Sequence, residues 1–257
     1  MLMKRCFVSQ RLSARVKLVC DFDGTITPYD TTDAMLSRFA TSEWEDIEHA
    51  WIAGEITAFE CMSRQVSLLN VEKANLDAFL DEIPLADGVS DFISFVSLHQ
   101  LDVIIISDGL DYSINRILTR HGLLDIKVAA NKLILNEEKY RLDFPYRQAD
   151  CGCGVCKCAV AGCLDKDFNK EIILIGDGRS DFCLADRASL ILAKRGLALE
   201  AYCSDKKLNY LSYDDFTQVL VVIKNLTQIM AEITGESYDH KISTNIFASI
   251  RDLSHFS

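Results

Sequence analysis

Two carboxylates lie almost side by side where a short apolar segment ends. The segment Val16–Cys20 is followed at once by Asp21, and Asp23 comes two residues later, before Gly24 and Thr25. Acidic residues are poor strand formers and like charges this close repel each other, so the pair brings no structural benefit. Such carboxylates can bind a cation, attack an electrophile or transfer a proton. The pair therefore predicts a reactive site rather than a structural turn.

Two later apolar segments end in similar loops. The run DVIIIS ends at Ser107 and is followed by Asp108 and Gly109, and the run EIILIG is followed by Asp177 and then Asp181. Short, wholly apolar runs rich in β-branched residues predict strands that are covered on both faces of a parallel sheet. The carboxyl ends of such strands meet at one edge, where α/β proteins bind their ligands. We expect the three acidic loops to converge there.

Carboxylates collected at one edge repel one another unless a cation binds. Mg²⁺ takes oxygen ligands, usually one or two carboxylates with waters and a substrate phosphate. Asp21 and Asp177 are the natural pair of ligands, and the scattered positions of the histidines argue against zinc in this site. Asp21 could then attack phosphorus to form an aspartyl phosphate. Asp23 could protonate the leaving oxygen and later deprotonate the attacking water.

Phosphoryl transfer also requires groups that compensate the charge of the transferring oxygens. The hydroxyls of Thr25 and Ser107 and the backbone N–H groups of Gly24 and Gly109 could supply part of this compensation.

A lysine would complete the set, and Lys157, Lys166 and Lys170 are the candidates. Lys157 lies at the predicted start of a helix, which places it at the loop edge of the sheet. Lys170 abuts the start of the third acidic strand, which places it at the opposite edge. We therefore choose Lys157.

The order of the other elements predicts an α/β fold with a parallel sheet flanked by helices. Residues 31–80 show apolar residues at three- and four-residue spacing without an intervening strand, so they predict an inserted helical segment. Further helices are predicted near residues 88–100, 110–122, 157–165, 179–188 and 213–234, a hairpin at 127–142, and a short strand at LILA.

The loop motifs resemble those of the haloacid dehalogenase (HAD) superfamily: DFDGT, S-D-G, a lysine and GDGxxD. The resemblance implies a Rossmann-like core at 16–30 and 86–234, with a small C1-type α-helical cap at 31–85. It implies Mg²⁺-dependent phosphatase chemistry, with Asp21 as nucleophile and Asp23 as general acid and base. The implied metal ligands are the Asp21 carboxylate, the Asp23 backbone carbonyl and Asp177, while Ser107 binds the phosphoryl group. Asp181 is implied to support the waters of the metal or the lysine.

A closer resemblance is to the methionine-salvage phosphatases, on the strings CGVCK, IGDGRSD and LILAKRGLALEAYCSDKKLNYLSYDDF. Those enzymes act on 2-hydroxy-3-keto-5-methylthiopentenyl-1-phosphate, which becomes the leading substrate. Phosphoserine or a phosphorylated amino alcohol is the runner-up. The second motif departs from the SGG of many relatives and adds Asp108 near the phosphate site.

Composition limits the partners of this chain. The net charge of −11 over 257 residues argues against nucleic-acid or anionic-membrane partners, and no apolar run is long enough to span a bilayer. Ten cysteines without a signal peptide predict reduced thiols and a cytoplasmic protein. Residues 1–15 are basic and free of acids, as a mitochondrial-type presequence would be, but a plain extension is the favoured interpretation. Residues 235–257 form an unassigned tail. A homodimer is only the commonest arrangement, not an inference from the residues.

Three other interpretations compete with the phosphatase. A phosphomutase or transferase would use the same aspartyl phosphate with another acceptor. A receiver-like signalling domain would keep its phosphoaspartate, but Asp23 argues against this because a nearby base speeds hydrolysis. A zinc or redox module could use Cys151, Cys153, Cys156 and Cys158, although four ligands so close would strain a tetrahedron. Ordinary thiols are favoured there.

Overall fold

The computed structural model describes residues 15–135 and 139–232. The first 14 residues of the predicted N-terminal extension and the whole predicted C-terminal tail lie outside these ranges, as do three residues of the predicted hairpin turn. None of the described helices is long and apolar enough to cross a membrane.

Seven strands of the described chain form a mostly parallel sheet in the order β4-β3-β2-β1-β5-β6-β7. Strands β1–β7 span Val16–Cys20, Asp102–Leu110, Lys127–Leu135, Tyr140–Asp143, Glu171–Gly176, Leu190–Lys194 and Tyr210–Tyr213. Helices α1–α10 span Thr31–Phe39, Glu43–Ile52, Ala58–Val66, Lys73–Asp81, Val89–Leu98, Asp111–Arg120, Lys157–Ala161, Phe182–Ala185, Ala198–Lys206 and Phe216–Glu232. The predicted α/β class is confirmed.

The chain forms two compact units. Of the described residues, the first comprises 15–19, 86–103 and 167–232. Within it β5, β6 and β7 pair in parallel through fully apolar runs such as Ile172–Ile175. Helix α5 packs against α10, and the rings of Phe92 and Phe216 meet edge to face at 5.2 Å. This burial of both strands and helices supplies the unit's core.

Of the described residues, the second unit comprises 20–85, 104–135 and 139–166. In it β2 pairs in parallel with β3, and β3 pairs antiparallel with β4, which confirms the predicted hairpin. The four helices α1–α4 follow one another without a strand, as predicted. Helix α4 is joined to α6 by Arg116, whose guanidinium lies 2.6 Å from Asp81 and 3.1 Å from Asp77. The role of residues 31–85 as a cap stays a prediction.

Several element boundaries differ from those predicted. Helix α7 ends at Ala161 rather than at 165, because Gly162 takes the left-handed conformation (φ +88°) that stops a helix. The last helix begins at Phe216 rather than at 213, because the Asp215 carboxylate accepts the Thr217 N–H at 2.8 Å and so caps the helix. Tyr213 instead ends β7.

Two elements lay in stretches to which the sequence pattern assigned nothing, namely α9 and most of β7. The helix predicted over 179–188 is a 3-10 turn, Arg179–Asp181, followed by the short α8.

Candidate active site

The loop after β1 is a tight coil that fixes the two acids of the DFDGT motif. The Phe22 carbonyl accepts three backbone N–H groups, from Thr25 at 3.1 Å, Ile26 at 2.8 Å and Thr27 at 3.1 Å. Gly24 has a φ of +72°, a conformation that glycine adopts without strain. The glycine of the motif is therefore required by the turn that presents the acids.

Asp21 is paired with Lys157 in the interior of the second unit. Lys157 Nζ lies 3.0 Å from Asp21 Oδ1, and the side chains are 0% and 6% exposed. The Phe22 N–H also donates to Asp21 Oδ1, at 2.8 Å. Removing one partner of a buried ion pair costs about 3–5 kcal/mol, because the other charge stays buried. A lysine in this place can also compensate negative charge that collects on the Asp21 side chain.

Asp23 is held at the first turn of α1. Its Oδ1 accepts the Thr31 N–H at 3.0 Å and also the Thr31 hydroxyl. Burial is the main cause that raises the pKa of Asp23 to about 6, and the negative charge of Asp21 acts in the same direction. The hydrogen bonds from Thr31 oppose this shift, because they favour the charged form. A carboxyl group with such a pKa exists in both protonation states near neutral pH, which suits a general acid and base.

The Asp23 carboxylate lies directly against the loop inside β2. A Cβ added to Gly109 would come within 2.1 Å of Asp23 Oδ2 and 3.0 Å of Ser107 Oγ. The Gly109 N–H donates to Ser107 Oγ at 2.9 Å, and Ser107 is buried. Only glycine leaves room for the acid, so the S-D-G loop and the DFDGT loop meet. The buried Thr25 lies on the same coil.

Asp108 contacts the loop that precedes Lys157. Its Oδ1 accepts the Val155 N–H at 2.5 Å, and its backbone carbonyl accepts Asn131 Nδ2, also at 2.5 Å. Its predicted contact with the phosphate stays a prediction. Asn131 was missed from the sequence, although a polar residue inside the apolar strand run VAANKLIL is a signal that could have found it.

Asp177 and Asp181 are brought together in the first unit. Asp181 is fully buried, and its Oδ2 accepts the N–H groups of Asp177 at 3.2 Å and Gly178 at 3.3 Å. A Cβ on Gly176 would come within 2.3 Å of Asp181 Oδ2, so this glycine makes room for the acid. Asp181 thus fixes the turn that carries Asp177 at the end of β5.

The other candidate groups lie in different surroundings. Lys170 Nζ pairs with Asp102 at 2.7 Å, and Lys166 is exposed. The Cys151 thiol is in hydrogen-bonding contact with Cys153 and Cys156. Burial raises the pKa of the Cys151 and Cys156 thiols, so both stay protonated at neutral pH, as ordinary thiols do.

The fold is that of the HAD hydrolases. A HAD family hydrolase from Salmonella enterica serovar Typhi matches with a TM-score of 0.65 at 20% identity, covering 82% of this chain and 72% of its own. A phosphoserine phosphatase holding an analogue of its phospho-aspartyl intermediate matches with a TM-score of 0.61 at 20% identity, covering 80% of this chain and 98% of its own. At this identity the likeness shows the fold.

The family follows from the sequence comparisons. The family model described as "Putative Phosphatase" matches residues 16–214, and the chain belongs to this family. The 2-hydroxy-3-keto-5-methylthiopentenyl-1-phosphate phosphatase of Bacillus velezensis is 31% identical over 220 residues, which cover 83% of this chain and 92% of that protein. The chain is a phosphoric monoester hydrolase of the HAD type.

Proposed function

We propose that the protein hydrolyses a small phosphomonoester through an aspartyl phosphate on Asp21. The observation that carries the proposal is the ion pair between the buried Asp21 carboxylate and Lys157. Asp21 lies on the same loop as Asp23. In the first step an Asp21 oxygen bonds to phosphorus, the ester P–O bond breaks, and the leaving oxygen takes the proton of Asp23. In the second step water attacks phosphorus, its proton passes to Asp23, and the bond to Asp21 breaks. Inorganic phosphate leaves and both side chains return to their starting states.

The remaining predicted residues serve the phosphoryl group in this proposal. Ser107, Thr25 and the N–H groups of Gly24 and Gly109 orient its oxygens. Lys157 neutralises part of its charge at the Asp21 side. Groups that are already positioned need no reorganisation during the reaction, which makes them effective.

Mg²⁺ is the cofactor that fits the proposed ligands. The Asp21 carboxylate, the Asp23 backbone carbonyl and the Asp177 carboxylate are all oxygen donors, as Mg²⁺ prefers. Asp181 supports this set because its hydrogen bonds hold the Asp177 turn. When bound, Mg²⁺ would supply positive charge to the phosphoryl oxygens. The chain's own groups perform the attack and the proton transfers.

Removal of divalent cations should reduce phosphate release by roughly 10²-fold or more, since a metal contributes several kcal/mol of charge stabilisation. The test is phosphate release before and after EDTA, with Mg²⁺ and Zn²⁺ added back separately. Recovery with Mg²⁺ is expected. Full activity in excess EDTA, or recovery with Zn²⁺ and not with Mg²⁺, would contradict this cofactor assignment.

The leading substrate is 2-hydroxy-3-keto-5-methylthiopentenyl-1-phosphate. Support comes from two relatives that are named for this activity. Besides the protein of Bacillus velezensis, one from Brevibacillus brevis is 26% identical, and the match covers 99% of its length. We therefore infer a place in methionine salvage, in the cytoplasm and with a small metabolite as partner. A homodimer and the closing of residues 31–85 over the site as a cap are further parts of this proposal.

One observation favours a second substrate class, a phosphorylated amino alcohol or phosphoserine. Burial, and after it the nearby charge of Glu48, raises the pKa of Asp33 to about 6. The charge of Asp33 also contributes to the raised pKa of Asp23, so Asp33 lies near the proposed acid. An ammonium group on a substrate would relieve the repulsion among these carboxylates.

A substrate panel separates the two. Phosphate release should be compared for enzymatically generated methylthiopentenyl phosphate, phosphoserine, phosphocholine and pyridoxal phosphate, with Mg²⁺ and with EDTA. A high kcat/KM for the first compound only supports methionine salvage. A preference for the amino compounds keeps the chemistry and changes the substrate.

Lys157→Met should lower kcat/KM by roughly 10²-fold or more, because a preorganised charge near the developing oxyanions is lost. The matched control is Lys170→Met, which removes a partly exposed pair with Asp102 and should leave turnover unchanged. Steady-state kinetics of both variants, measured at a temperature where each is folded by circular dichroism, decide between the two lysines. If Lys170→Met lost activity and Lys157→Met did not, the choice of lysine would be wrong.

A further inference from the structure

The loop that carries Ser107, Asp108 and Gly109 is a bulge in β2. Ile106 lies opposite Ala129 and Leu110 lies opposite Asn131, so three residues of β2 lie between these pairs but only one residue of β3. A bulge leaves the backbone groups of its extra residues without their ladder partners. Something else must hold this loop in place.

Asn131 supplies the missing partner. It is fully buried on β3, and its Nδ2 donates to the Asp108 carbonyl at 2.5 Å, inside the bulge. The side-chain amide thus takes the place of a strand N–H. This bond ties the geometry of the bulge to the identity of residue 131.

The same amide lies against the turn that leads to Lys157. A Cβ added to Gly154 would come 2.7 Å from Asn131 Nδ2 and 2.8 Å from Asn131 Oδ1, so the turn and the amide are in direct contact. The next residue, Val155, donates its N–H to Asp108 Oδ1 at 2.5 Å. Lys157 follows two residues later as the first residue of α7. Asn131, Asp108 and the Gly154–Val155 turn therefore form a continuous brace.

A second feature of Asn131 points to function rather than to stability. Its Oδ1 is buried and has no hydrogen-bond donor among the residues that the structure describes. An unsatisfied buried acceptor costs about 1–3 kcal/mol. A small apolar residue would avoid this cost, so packing by itself does not account for an asparagine here.

We propose that Asn131 is a positioning residue of the hydrolase, which sets the place of Lys157 relative to Asp21 through Asp108 and the Gly154–Val155 turn. The inference rests on the proposed function, because it needs Lys157 to act in catalysis. Asn131 itself does not contact the reacting atoms in this account. Its effect is transmitted through the backbone of the loop.

The test compares Asn131→Ala with Asn209→Ala. Asn209 Nδ2 donates to the Ser189 carbonyl at 2.7 Å, so the control removes the same kind of bond outside the loops of the site. We expect Asn131→Ala to lower kcat by roughly 10–10²-fold, the scale expected for a misplacement of about 1 Å, and Asn209→Ala to leave it unchanged. Urea unfolding of both variants measures the loss of stability separately. Equal kinetics in the two variants would overturn the proposal.

A double-mutant cycle separates positioning from a general structural effect. If Asn131 acts through Lys157, Asn131→Ala should have little further effect on kcat in a Lys157→Met background. A full, additive loss in that background would overturn the proposal. If Asn131→Ala does not fold, Asn131→Ser, whose hydroxyl is too short to replace the amide, provides the same comparison.

The failure of this inference can be told apart from failure of the proposed function. Loss of turnover in Asp21→Asn together with normal kinetics in Asn131→Ala would refute the positioning role of Asn131 and leave the proposed mechanism standing. Normal turnover in Asp21→Asn would remove the mechanism itself.

Discussion

Asp21→Asn is expected to abolish phosphate release, by roughly 10⁴-fold or more, the scale found when other enzymes lose their nucleophile. The amide has nearly the shape of the carboxylate but is a poor nucleophile, so no aspartyl phosphate forms. The change also leaves Lys157 buried without its partner at 3.0 Å, so the free energy of unfolding should fall by about 3–5 kcal/mol. Steady-state phosphate release and urea unfolding measure the two effects.

The stability effect requires a second variant and a control. Asp21→Glu keeps a negative charge for Lys157 but displaces the attacking oxygen by one methylene, so it should fold better than Asp21→Asn and still be nearly inactive. Asp30→Asn lies on the same loop and should be neutral, because asparagine can cap α1 as Asp30 does, with its side chain accepting the Asp33 N–H at 2.9 Å. Near-normal turnover in folded Asp21→Asn would refute the covalent mechanism.

Asp23→Asn is expected to slow turnover by roughly 10²–10⁴-fold, the usual contribution of general acid and base catalysis. Asparagine can still accept hydrogen bonds from the Thr31 N–H and hydroxyl with its Oδ1, so the start of α1 should be preserved. What it cannot do is hold the transferable proton. Both the protonation of the leaving oxygen and the activation of water should suffer.

The two roles of Asp23 can be separated by the choice of leaving group. A nitrophenyl phosphate needs little protonation, so with Asp23→Asn it should form the phosphoenzyme in a burst of nitrophenol and then stall before phosphate release. Quenching in acid, which preserves the aspartyl phosphate, allows the phosphoenzyme and the released phosphate to be measured at each time, so both steps are followed. A variant that loses the burst but hydrolyses normally, or keeps both steps, would be inconsistent with the dual role. Thr27→Ser, a change in the same coil that keeps the hydroxyl bonded to the Phe22 and Tyr29 carbonyls, is the control.

The sequence identified the strands and the loops better than it identified their boundaries. Val16–Cys20 and the hairpin were predicted where they occur, because buried strands and polar turns have strong local patterns. The strand Tyr210–Tyr213 was missed because a run of four residues has no clear local pattern: its first three residues were assigned to no element, and Tyr213 was assigned to the helix that follows. Its state as a strand depends on pairing with β6, which no local pattern encodes.

Residue types and spacing indicated the class of enzyme, through the acids after three strand-like runs, the glycines that follow them and the family to which the chain belongs. Tertiary structure decided which groups touch. Only the fold shows that Asp23 occupies the space a side chain at residue 109 would need, that Lys157 reaches Asp21, and that Asn131 holds the Asp108 bulge. The reason is physical. Sequence spacing specifies which residues are neighbours along the chain, whereas these contacts join residues that are distant in sequence and that only the packing of the sheet brings within hydrogen-bonding distance.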